Sequence, residues 1–173
     1  SAEWRTPGIK ALIRQWWRVA YVAEYGVHVK PMLEQEGLRF GSTQEFQGPH
    51  DDAPTLHQAA ISIRFEGLPP SQAEQVEPVR GDRNQSLPYL GFGPFVQPSQ
   101  PSTRKALNSG TKAKLRINIK GHSSEEAEGY AQEIDTVFSL IARFGTLGSR
   151  SRNGWGSLKL SGSTLQPLNP RLF

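Results

Sequence analysis

The stretch Ala113-Lys114-Leu115-Arg116-Ile117-Asn118-Ile119-Lys120, followed at once by Gly121-His122-Ser123-Ser124-Glu125-Glu126, decides how this chain is read. Its apolar residues alternate with Lys, Arg and Asn, the two-residue period of a strand with one face on a core and the other in water. The outward face is therefore cationic. Ser123 and Glu126 have the spacing of a capping box, and Ala127, Tyr130, Ala131, Ile134, Val137, Phe138 and Ile141 then recur at three- and four-residue steps. That predicts an amphipathic helix, which Gly145 ends.

Upstream, residues 59–65 alternate again, with Ile61, Ile63 and Phe65 on one face, and predict a second strand. Between the two strands, 67–102 is rich in Pro, Gln and Ser and shows no regular pattern beyond the apolar cluster Tyr89-Leu90-Gly91-Phe92-Gly93; it reads as a long loop or insertion. At the start, Thr6-Pro7 has the form of a helix N-cap followed by Pro at the first helical position, and Ile9, Leu12, Ile13, Trp16 and Ala20 continue as an apolar stripe. Lys10, Arg14 and Arg18 share another face of that helix, with Trp17 at its edge. After Gly26 the pattern dissolves until residue 59. At the other end, a Gly/Ser/Arg segment 145–156 leads into a short predicted strand at 157–160.

The order is helix, strand, long excursion, strand, helix, Gly-rich turn, strand. The fold class is α+β, and one more strand ahead of the first helix would complete the βαββαβ order of a ferredoxin-like (RRM-like) domain. The first strand is missing from the chain, which opens on Ser1-Ala2 without Met. This is read as a processed or truncated start, with that strand upstream or supplied by another chain. A length of 173 residues fits a single domain over 1–173.

Composition narrows the function classes. There is no Cys, which excludes a disulfide framework, a Cys-ligated metal and a thiol nucleophile. No apolar run is long enough to span a bilayer and no signal-like block stands near the start, so a soluble, cytoplasmic protein with no membrane partner is expected. Net charge is only +4, but its distribution is uneven. Residues 4–18 hold Arg5, Lys10, Arg14 and Arg18; 104–120 hold Arg104, Lys105, Lys112, Lys114, Arg116 and Lys120; 143–159 hold Arg143, Arg150, Arg152 and Lys159. None of the three stretches contains Asp or Glu, and such a division favours a polyanionic partner.

Gly148-Ser149-Arg150-Ser151-Arg152-Asn153-Gly154-Trp155-Gly156 joins glycines that let a backbone approach a ligand, free amides, two arginines and an aromatic, a set suited to phosphate and base contacts. Trp155 stands where a nucleotide-hydrolysing loop needs Lys, and the spacing is wrong for a dinucleotide fingerprint. Trp155, Tyr89 and Phe92 have the chemistry to stack on bases; Trp16 and Trp17 are expected in the core, Trp16 the more firmly. His28, His50, His57 and His122 are scattered, with no His-x-x-x-His pair for zinc. No metal or cofactor is expected, and Asp51-Asp52 read as solvated turn residues. His50 or His28 is the candidate general base of an alternative reading, metal-independent RNA cleavage.

Taken together, Arg5-Thr-Pro-Gly-Ile-Lys-Ala-Leu-Ile-Arg-Gln-Trp-Trp-Arg18 resembles the opening helix of the RAMP superfamily of CRISPR proteins, and Phe144-Gly-Thr-Leu-Gly-Ser-Arg-Ser-Arg-Asn-Gly-Trp-Gly-Ser157 resembles its glycine-rich loop. With Phe40-Gly41 and Tyr89-Leu90-Gly91-Phe92-Gly93 in the same order, the chain looks most like the large first-subunit family of the Cmr (type III-B) effector complex. The resemblance implies a ferredoxin-like fold and a non-catalytic RNA-binding subunit. It further implies an assembly with crRNA or target RNA and other RAMP subunits in antiviral defence. It carries Gly148, Ser149, Arg150, Arg152, Gly154 and Gly156 over as RNA-proximal positions by the loop, and Lys10 and Arg14 by the helix. Arg18 and Trp155 join them from the cationic stripe and the aromatic of the loop. The alternatives are a RAMP endoribonuclease processing crRNA, and an assembly protein whose basic face docks on an acidic partner.

Overall fold

A computed structural model describes residues 4–41, 58–67, 73–75, 105–148 and 155–161. Three helices and four short strands follow in the order α1 (Thr6–Tyr25), α2 (Val29–Phe40), β1 (Ile61–Phe65), β2 (Ala73–Gln75), β3 (Lys105–Leu107), β4 (Leu115–Ile119) and α3 (Ser124–Phe144). The class is α+β. The described strands form two separate two-stranded sheets, β1 with β4 and β2 with β3. The described residues belong to two compact units, the first drawn from 1–9, 64–116 and 145–159, the second from 10–63, 117–144 and 160–173.

In the second unit, α1 buries Leu12, Ile13 and Trp17, α2 buries Phe40, β1 buries Ile61, and α3 buries Ile134, Val137, Leu140 and Ile141. Trp17 meets Phe40 edge-on with ring centroids 6.0 Å apart. The helix phase departs from the expected stripe by one residue. Trp17, four positions after Ile13, takes the core place, while Trp16 is half-buried and stacks on the exposed ring of Phe144 at 6.1 Å. α1 stops where Gly26 takes φ 80° and donates its amide to the Val22 carbonyl at 2.9 Å, a conformation open to glycine at little cost.

α2 is the element the periodicity did not announce. It starts as the Met32 amide bonds the His28 carbonyl and ends as Gly41, at φ 81°, bonds the Gly37 carbonyl at 2.8 Å. Its inward positions include Glu36 and Gly37 rather than an unbroken apolar row, so the stripe that betrays a helix is interrupted by a charge and a helix-weakening glycine. The Ala60 amide then bonds the Leu38 carbonyl at 3.1 Å, fixing the entry to β1 on α2.

α3 follows its sequence closely. The Glu126 amide bonds Ser123 Oγ at 3.1 Å, and the Glu126 carboxylate accepts from the His122 amide. The capping box thus forms with its return bond one residue earlier than the standard pattern. The His122 amide, with help from the Tyr130 hydroxyl, holds the Glu126 carboxyl below its ordinary range.

In the first unit, β2 and β3 pair antiparallel, Ala73 opposite Leu107 and Gln75 opposite Lys105. A strand therefore lies inside the segment 67–102 that had no expected element, three residues being too few to print a period. The rest of that segment, with Tyr89-Leu90-Gly91-Phe92-Gly93, lies outside the described residues. The expected strand at 157–160 is reduced to an isolated bridge between Thr146 and Ser157.

Candidate nucleic-acid interface

Lys10, Arg14 and Arg18 sit at four-residue steps on α1 and share one face. The sequence counts them as three free cations, but folding supplies two of them with an anion. Glu36 of α2 is 1% exposed; Arg14 Nε donates to its Oε1, while Arg18 Nε donates to Oε2 at 2.6 Å and Arg18 Nη2 to Oε1 at 2.9 Å. Two guanidinium charges on one buried carboxylate leave a net charge of +1 and satisfy an ion that would be costly to bury alone. The Glu36 hydrogen bond raises the Arg18 guanidinium above its ordinary range. Both arginine side chains remain 36% and 45% exposed. Lys10, half-buried, forms no ion pair among the described residues.

A second cluster, which no sequence pattern marked, ties all three helices of this unit together. Arg39 Nη2 donates to Glu133 Oε1 at 2.6 Å and its Nε to Oε2, while Trp17 Nε1 donates to the same Oε2 at 2.9 Å. The guanidinium lies 5.3 Å from the Trp17 ring and 4.8 Å from that of Tyr130, within the range of cation–π attraction. Burial works against the Arg39 charge, and the Glu133 hydrogen bond and attraction outweigh it, so the group is held above its ordinary range. Burial, with the bond to Glu126, pushes the Tyr130 phenol up. Every polar atom of this cluster is engaged with another, the arrangement of a tertiary clip. Trp17 is thereby spoken for and offers no platform to a base.

In the first unit, the glycine-rich segment opens as a hairpin. The Leu147 amide bonds the Gly156 carbonyl at 2.9 Å beside the Thr146–Ser157 bridge. Gly156 has φ 78°, and a Cβ there would stand 1.9 Å from the Leu147 carbonyl oxygen, so only glycine closes this turn. Gly148 also has positive φ, at 124°. The first turn of α1 lies against the same hairpin: a Cβ on Gly8 would come 3.9 Å from Leu147 Cδ1. Trp155 is half-buried and engaged with neighbours. Ser149, Arg150, Arg152 and Gly154 lie outside the described residues. Trp4 packs edge-on against Phe65 at 6.1 Å.

Of the expected positions, then, Arg14 and Arg18 are brought together by Glu36 with Lys10 on the same helix face, and Gly148, Trp155 and Gly156 frame the hairpin of the other unit. His28 and His122 are exposed, while His50, His57 and Asp51-Asp52 lie outside the described residues. Among the described residues, no group of three His, Asp or Glu is placed to hold a metal ion, and no helix is long and apolar enough to cross a membrane. No family model, curated protein or solved structure matches the chain.

Proposed function

We propose that the chain is a non-catalytic RNA-binding subunit of a type III CRISPR effector, a RAMP-type protein that holds single-stranded crRNA or target RNA by its backbone beside other RAMP subunits in the cytoplasm. The observation that carries this reading is in the first unit: the first turn of α1 lies on a hairpin that glycine alone can close, and Arg150 and Arg152 stand in the sequence between its two described ends. The order of α1, β1, β4 and α3, with β1 and β4 adjacent, supports a ferredoxin-like unit, in which two central strands pair between two helices. Backbone contacts give affinity without sequence preference, which suits a protein whose specificity is delegated to guide pairing.

A titration of labelled single-stranded RNA at several salt concentrations, with a gel of the same mixtures, tests it. The expected result is a log affinity that falls linearly with log salt, with a slope of about −0.7 per phosphate neutralised, and RNA that stays intact. Cut RNA would replace this reading with the endoribonuclease, and absence of binding at low salt would replace it with a protein-docking role.

A further inference from the structure

On the exposed side of the β1–β4 pair, within the first unit, Arg64 stands on β1, and Lys112, Lys114 and Arg116 stand along and just before β4. The Glu66 amide donates to the Lys114 carbonyl at 2.8 Å. In an antiparallel ladder this sets Glu66 opposite Lys114 and, two residues along, Arg64 opposite Arg116. Two like charges directly opposite one another weaken a strand pair. The carboxylate at hand relieves one side only: Glu66 pairs with Arg116 Nη2 at 2.7 Å and with Lys114 Nζ at 2.7 Å, and does not reach Arg64. Those two cations hold the Glu66 carboxyl below its ordinary range, the Lys114 hydrogen bond foremost.

Arg64 is thus exposed, faces a second arginine, and makes no ion pair among the described residues. It packs no core and closes no contact that the fold needs. Local rules broken without a structural gain are where a functional contact is to be sought. The row is cationic and its exposed side chains include no aromatic ring, so it suits phosphate oxygens and not base faces. Guanidinium forks on adjacent strands match the oxygens of a phosphodiester, and an anion between them removes the repulsion that the bare ladder carries.

We propose that this sheet face, with Arg64 and Arg116 as its principal contacts and Lys112 and Lys114 beside them, is a second binding surface for the sugar–phosphate backbone of single-stranded RNA. It rests on the RNA-binding reading above and adds a surface that neither the helix stripe nor the glycine-rich loop includes.

Arg64→Glu separates this role from a structural one, because it sets a carboxylate opposite Arg116. The expected result is an unfolding midpoint equal to or above that of the wild type. RNA affinity falls about tenfold, and the salt dependence is shallower by roughly 0.7 to 1.4 in slope, the loss of one or two phosphate contacts. Arg64→Gln, which adds no new pair, should lose about half as much in log affinity at an unchanged midpoint. If wild-type protein binds RNA and both variants bind it equally well, the sheet face is overturned and the RNA reading stands. If wild-type protein binds no RNA, or only an acidic protein partner, both are overturned.

Discussion

Arg14 and Arg18 on α1 and Arg116 on β4 look alike in the sequence, basic residues in stretches without acid, while Arg64 on β1 stands outside those stretches. In the fold they differ. The helix pair closes on Glu36, 1% exposed, whereas among the described residues only Arg116 of the strand pair reaches a carboxylate, the exposed Glu66 that it shares with Lys114. The lesson is that a cation's role is decided by an acidic residue that spacing cannot reveal, here 18 and 22 positions away for the helix pair. Cations that neutralise a buried ion hold the structure together first and meet ligands with what remains, while cations without such a partner are available.

The sharpest way to break this contrast is to strip Glu36. Replacing Arg14 and Arg18 together by Ala leaves a buried carboxylate without a partner and should destabilise the protein by about 3–5 kcal/mol, read from urea unfolding; adding Glu36→Gln to the same variant should recover a large part of it. A loss under about 1 kcal/mol for the double variant would show that the pairs are dispensable surface bridges.

The hairpin occupies a middle position, since Gly156 serves the fold while Arg150 and Arg152 lie outside the described residues. Gly156→Ala forces a Cβ toward the Leu147 carbonyl oxygen at a φ of 78° and should cost about 1–3 kcal/mol. RNA affinity should fall with it if the glycine-rich segment is the RNA-binding site. An unchanged midpoint would mean that the turn rearranges freely and does not fix the loop. The smallest change in stability belongs to Arg64→Glu, where relief of a cross-strand repulsion amounts to roughly 0.2–1 kcal/mol in the stabilising direction.

Much of this was legible, and the failures have identifiable causes. α1, β4 and α3 announce themselves because each buries one face with an unbroken period, and the Ser123–Glu126 box marks where α3 begins. α2 was hidden since two of its buried positions are Glu36 and Gly37; its inward face is chosen by arginines on another helix, a tertiary override of local pattern. The choice between Trp16 and Trp17 turned on about 100° of helix rotation, and the Arg39–Glu133 clip that settles it joins residues 94 apart in sequence. β2 and β3 are too short to carry a period. In the glycine-rich loop Gly156 was read as a glycine that lets the backbone approach a ligand, and its place against the Leu147 carbonyl was not legible, because that contact closes across the hairpin.

The most direct test of RNA binding through the glycine-rich segment is the salt dependence of RNA affinity for Arg150→Ala and Arg152→Ala beside the wild type. Each variant should bind more weakly with a slope shallower by about 0.7 and an unchanged unfolding midpoint. Affinity and slope that match the wild type in both variants would contradict it.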